Sequence, residues 1–135
     1  DVELLDLLVI QDVGRALNPA LVTGQIMGGA AQGIGWGRYE GLVYDDNGQP
    51  LNPSLMDYAL PKAQQVPPIT VGLVEVPSTA GPFGAKGVGE PPVIATAAAI
   101  ANAVADATSA RVTQLPITSQ RVREALTAAG GSSSR

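Results

Sequence analysis

The 135-residue chain contains no cysteine and no histidine. A catalytic triad built on imidazole, a thiol nucleophile, Cys/His zinc sites and cysteine-ligated iron–sulfur clusters are therefore excluded, as is any disulfide framework. Cationic residues are few. The 8 Lys plus Arg are outnumbered by 12 Asp plus Glu and form no cluster, so the electrostatic footprint of a nucleic-acid binder is missing. No uninterrupted run of about 18 apolar residues is present to span a bilayer, and no leader with a small-residue cleavage site is read at the N-terminus.

Aromatic side chains are scarce as well: one Trp, three Tyr and one Phe, beside 16 glycines and 11 prolines. The 45% hydrophobic content is dominated by Ala, Val, Leu and Ile, so the core must be built from small groups packed closely. Apolar burial is worth about 25 cal/mol per Å², and small side chains bury little area. A single domain is expected at this length, marginal on its own and better read as a portion of something larger.

The pattern along the chain predicts an α+β fold. Leu4 to Ile10 is a short apolar run suited to a buried strand, and Asn18-Pro19 marks a turn before a helix from about Leu21 to Tyr39. Asn47-Gly48, between Leu42–Tyr44 and Pro50–Leu51, signals a β-hairpin because both residues tolerate positive φ. Further strands are expected at Leu55–Leu60, Ile69–Val76 and near Arg111–Val112, and helices from Pro91-Pro92 to Ala107 and from the N-cap Thr118 to Ala128. Residues 1–129 form the structured portion, and residues 130–135, ending in Ser-Ser-Ser-Arg, have the composition of a flexible tail. Asp45-Asp46-Asn47-Gly48 is not a calcium loop, because the twelfth position is Met56, where a bidentate Glu is required.

Two segments carry unusual chemistry. In the first helix Gly24, Gly28, Ala31 and Gly35 fall on one stripe at 100° per residue, and each helical glycine costs about 1 kcal/mol relative to alanine. Close approach of another helix, or of a flat ligand, would compensate. Gln32 lies at the edge of that stripe and has both a donor and an acceptor to present, whereas Gly37 lies off it. The second segment is Gly81-Pro82-Phe83-Gly84-Ala85-Lys86-Gly87-Val88-Gly89-Glu90-Pro91-Pro92. Its glycines expose backbone N–H groups to an anionic ligand, although no Ser/Thr follows a Gly-Lys pair as a P-loop demands. Glu90 precedes two prolines at the start of a helix, where the helix dipole favours its charge and burial opposes it. It reads either as a base or as a charge that merely stabilises the helix.

At these residues a resemblance becomes specific. Gly84-Ala85-Lys86-Gly87-Val88-Gly89-Glu90-Pro91-Pro92, with Gly24-Gln25 and Ala31-Gln32-Gly33-Ile34-Gly35, resembles the molybdenum hydroxylases, the xanthine dehydrogenase and aldehyde oxidase family. Asp12-Val13-Gly14-Arg15-Ala16-Leu17-Asn18-Pro19 and Leu51-Asn52-Pro53-Ser54-Leu55-Met56-Asp57-Tyr58 match its C-terminal molybdopterin-binding region in the same order. Nearly the whole chain, from about residue 7 to 128, is covered. Ser109 departs from the family by standing where glycine is common.

The resemblance implies that Glu90 is the catalytic base of a hydroxylation that oxidises an aldehyde or N-heterocycle carbon with water as the oxygen source. It also implies that Gln32, Lys86, Val88 and Gly89 contact a molybdenum–molybdopterin cofactor shared with another chain or segment, with no residue here ligating the metal. Lys86 equally reads as a brace for its loop. The partners implied are the remaining molybdopterin-binding polypeptide, [2Fe–2S] and FAD chains or domains, and a small-molecule substrate. The expected location is the cytoplasm, or the periplasm where a partner carries the export signal. The alternative is a non-catalytic packing or assembly module that retains the motif.

Overall fold

The computed structural model describes residues 2–131. In chain order its elements are β1 (Leu7–Asp12), α1 (Pro19–Arg38), β2 (Ile69–Val74), α2 (Pro91–Thr108) and α3 (Ser119–Gly131), with short 3-10 turns at Ala63–Gln65 and Pro82–Gly84. The expected α+β architecture, with one glycine-rich helix and two C-terminal helices, is present. The helix ends follow local chemistry. Asn18 caps α1 by accepting the Leu21 N–H at 3.2 Å, with Pro19 at the first helical position. Thr118 Oγ1 accepts the Arg121 N–H at 3.2 Å and so caps α3. That helix continues through Gly131, past the expected boundary at 129, and residues 132–135 of the expected tail lie outside the described residues.

β1 and β2 pair in parallel, Leu7 opposite Ile69 through Asp12 opposite Val74. β1 thus starts and ends later than the apolar run alone indicated. The hairpin reduces to one antiparallel bridge between Tyr44 and Pro50, with Gly48 at φ +80° in the turn. Leu55–Leu60 is not a strand: the Ser54 carbonyl accepts the N–H groups of Asp57 and Tyr58 at 3.0 and 2.8 Å, folding the segment into a turn. Arg111–Val112 is likewise irregular, leading from the end of α2 toward α3.

The core lies among the three helices, where Ile34, Ile100, Val104, Ile117 and Val122 are buried together. Along the crossing of α1 and α2, Gly29, Gly33 and Gly37 face Pro92, Thr96 and Ile100. A Cβ built on these glycines would come within 3.0 Å of Pro92 Cβ, 2.6 Å of Thr96 Cβ and 3.0 Å of Ile100 Cδ1. Two rows of fourfold spacing thus interlock, the arrangement of ridges packed into grooves. The stripe expected at Gly24, Gly28, Ala31 and Gly35 is not the seam: Gly24 and Gly28 have open space around them, and Gly37 packs against α2. Thr96 is buried in the seam, its hydroxyl donating to the Pro92 carbonyl at 2.7 Å, whereas Ile94 is largely exposed. α2 therefore buries one stripe and not most of its circumference. Arg38 closes the far end of α1 by donating to the carbonyls of Ile117 and Val2.

Candidate functional site

The loop that ends at Glu90 is fastened to the end of β1. Gly14 bridges to Ala85, the Gly84 carbonyl accepts the N–H groups of Arg15 and Ser78, each at 2.9 Å, and the Lys86 N–H donates to the Val13 carbonyl at 3.0 Å. Only glycine fits at residue 14: its φ is +64°, and a Cβ there would lie 2.3 Å from the Gly84 oxygen. Phe83 and Gly84 both have positive φ, and Ala85 N–H closes the turn on the Pro82 carbonyl at 3.0 Å. The bulky Phe83 ring projects from this strained position into solvent.

Asp12 is the hub of the attachment. One carboxylate oxygen accepts the N–H groups of Gly14 at 2.9 Å and Val76 at 3.3 Å, and the other pairs with the Lys86 ammonium. The hydrogen bond from Lys86, followed by that from Gly14, holds the Asp12 carboxyl below its ordinary value of 3.8. Lys86 is thus placed as a brace between the loop and β1.

Beyond Lys86 the internal hydrogen bonding stops. Among the described residues, the N–H groups of Gly87, Val88 and Gly89 find no backbone acceptor, and Gly87 and Gly89 have open space where a side chain would be. Glu90 follows as the N-cap of α2, its carbonyl accepting the Val93 N–H at 3.0 Å while its side chain makes no cap hydrogen bond. The physical reason is Pro91-Pro92. Two residues without N–H groups stand where a helix would otherwise present donors to a carboxylate. The exposed Glu90 side chain keeps its oxygen lone pairs available.

α1 lies against this corner. Its Gly29 abuts Pro92 and the Gly89 carbonyl, which brings α1 against the residues that flank Glu90; Gln32 precedes the seam glycine Gly33 in α1. Gln32 is exposed there. A groove between the start of α1 and the loop is lined by Arg15, Leu21, Gln25, Lys86 and Val88 among others. The structure thereby joins Lys86 and Val88 to Gln25, an amide quoted in the family motif but not singled out by the helical stripe. Gln32 does not line that groove. What could have found Gln25 in sequence is the i, i+4 spacing from Leu21, which puts both on the face opposite the loop.

No helix among the described residues is long and apolar enough to cross a membrane. A family model for the molybdopterin cofactor-binding domain matches residues 1–67. The chain is 45% identical over 114 residues to the gamma subunit of the 6-hydroxypseudooxynicotine dehydrogenase complex of Paenarthrobacter nicotinovorans, covering 82% of this chain and 14% of that protein. It is 40% identical over 125 residues to the putative xanthine dehydrogenase molybdenum-binding subunit of Escherichia coli K12, covering 92% of this chain and 17% of the subunit. Quinoline 2-oxidoreductase from Pseudomonas putida 86 superposes with a TM-score of 0.86 at 37% identity, over 93% of this chain and 16% of that one. The chain therefore spans about one sixth of the length of the proteins it matches. Matched by that family model and, over more than four fifths of its length, by these relatives, this chain belongs to the xanthine dehydrogenase and aldehyde oxidase family of molybdenum-containing oxidoreductases, as a part of its molybdopterin-binding region.

Proposed function

We propose that this chain forms one wall of a molybdenum hydroxylase active site and contributes its catalytic base, Glu90. The observation that carries this reading is the Glu90 carboxylate, exposed and without a cap hydrogen bond, directly after three backbone N–H groups that have no backbone acceptor among the described residues. Those N–H groups, with the Gln25 amide across the groove, fit the phosphate and polar ring atoms of a molybdopterin cofactor, because an anion is held by uncharged donors of this kind; Gln32, exposed on α1, is a further amide contact to it. When bound, that cofactor supplies the two-electron redox and oxygen-transfer chemistry. Glu90 takes up the proton of the attacking hydroxyl at its carboxylate as an aldehyde or N-heterocycle carbon is oxidised, with water as the oxygen source. Lys86, tied to Asp12, positions the loop and adds positive charge at the rim of the groove. The remaining molybdopterin-binding polypeptide completes the pocket, and [2Fe–2S] and FAD partner chains carry the electrons away.

Glu90→Gln in the assembled enzyme tests this assignment. Turnover should fall by roughly 10²- to 10⁴-fold, the usual consequence of losing a general base, while molybdenum and pterin content stay at the wild-type level. Normal turnover at normal cofactor content would leave Glu90 as a helix-stabilising charge.

A further inference from the structure

Two anchors bound the short span that leads to Glu90. On the far side Glu90 opens α2, its carbonyl accepting the Val93 N–H at 3.0 Å, and the ring of Pro91 fixes the backbone there. On the near side Lys86 is tied twice to the end of β1, by its N–H to the Val13 carbonyl at 3.0 Å and by its ammonium to the Asp12 carboxylate. Between the anchors, a Cβ built on Gly87 or Gly89 would meet nothing from any other part of the described chain within 4 Å. Glycine enters positive and negative φ about equally, so residues 87–89 have little conformational preference of their own. The anchors set where they lie.

Asp12 is placed to orient this span more than to stabilise the fold. One of its carboxylate oxygens accepts the Gly14 N–H at 2.9 Å and the Val76 N–H at 3.3 Å, which fixes the group that Lys86 meets. The turn beyond it is held without Lys86: the Ala16 N–H donates to the Glu75 carboxylate at 2.9 Å, and the Arg15 N–H to the Gly84 carbonyl at 2.9 Å. The side chains of Lys86 and Asp12 are 36% and 37% exposed, and an ion pair that open to water adds little stability.

We infer that Asp12 is a positioning residue for the reaction: through Lys86 it fixes the near end of the Gly87–Gly89 span, and with it the placement of the span's N–H groups and of the Glu90 carboxylate. The inference rests on the reading of Glu90 as the base. A misplacement of reacting groups by about 1 Å costs about 10²-fold in rate. A span of three residues, two of them glycine, passes a loosened end on to the residue that follows it.

Asp12→Asn in the assembled molybdenum enzyme tests this, because asparagine keeps an oxygen to accept the Gly14 and Val76 N–H groups and removes the charge that faces Lys86. Single-turnover reduction by substrate, expressed per molybdenum, should slow by about 10- to 100-fold. The amides of Gly87, Val88 and Gly89 should exchange hydrogen at least about 10-fold faster than in the parent. If Asp12 acts through Lys86, the double variant Asp12→Asn/Lys86→Met should be no slower than Lys86→Met alone. A parent-like rate per molybdenum, parent-like exchange at those three amides, or losses that multiply in the double variant overturn the proposal. So does a fall in activity that only follows a fall in molybdenum content, which is the signature of a structural role. The exchange readout involves no turnover, so failure of this positioning is told apart from failure of Glu90 as the base, which Glu90→Gln reads.

Discussion

Ser109 ends α2 in the left-handed region, at φ +57° and ψ 13°, while its N–H donates to the Ala105 carbonyl at 2.8 Å. Glycine is common at this position in the family resemblance, and the geometry supplies the reason: a side chain in the left-handed region costs about 1–2 kcal/mol that glycine does not incur. Ser109→Gly should therefore raise stability by about 1 kcal/mol, and a thermal midpoint at or below the parent's would contradict this. Asp12 yields a prediction in pH. Its folded carboxyl is held below the ordinary value of 3.8 by Lys86 and then by Gly14, so the charged form favours the folded state. That contribution is fully present above pH 3.8 and is lost as pH falls through the depressed folded value. The gap in thermal midpoint between the parent and Asp12→Asn should shrink toward zero as pH drops below about 3.8. A gap that stays constant from pH 6 to about 2.5 would remove Asp12 from the attachment of the loop.

Elements whose ends are set by local chemistry were legible in the sequence. Asn18-Pro19, Glu90-Pro91-Pro92 and Thr118 start α1, α2 and α3 because capping and proline preferences act within one turn. The glycine seam was not legible to the same degree. α1 carries two small-residue stripes, Gly24, Gly28, Ala31 and Gly35 at spacings of four, three and four and Gly29, Gly33 and Gly37 at four, and spacing alone does not say which meets α2; the tertiary contact selects Gly29, Gly33 and Gly37. Leu55–Leu60 misled for a related reason. Its apolar residues resemble a strand, but Met56 is 95% exposed and Ser54 draws the backbone into a turn. The seam separates two variants. Gly33→Leu, where even a Cβ would sit 2.6 Å from Thr96, should destabilise the assembled enzyme by about 1–3 kcal/mol or more. Gly28→Leu, where a Cβ would meet nothing from any other part of the described chain within 4 Å, should leave the packing of α1 on α2 intact. Equal loss of stability in the two would contradict the seam.

Over the whole molecule, large apolar side chains stand uncovered on several sides, among them Leu5, Leu55, Phe83 and Ile94. The low aromatic content had already pointed to a portion of a larger body, and the chain spans only 14% and 17% of two of its relatives. The site divides along the same line. Glu90 and the Lys86–Gly89 loop are contiguous in sequence, so their proposal as a site needs no tertiary contact. Gln25 faces that loop across the groove at the start of α1, a juxtaposition made by folding. What the chain presents outward is a carboxylate kept free of helix donors by two prolines, beside N–H groups that have no backbone acceptor. The central claim is that this carboxylate is the base of the reaction. Its most direct test is the single-turnover reduction of the metal centre by substrate in Glu90→Gln enzyme fully loaded with molybdenum. The account predicts reduction slowed by at least about 10²-fold, and reduction at the parent rate would contradict it.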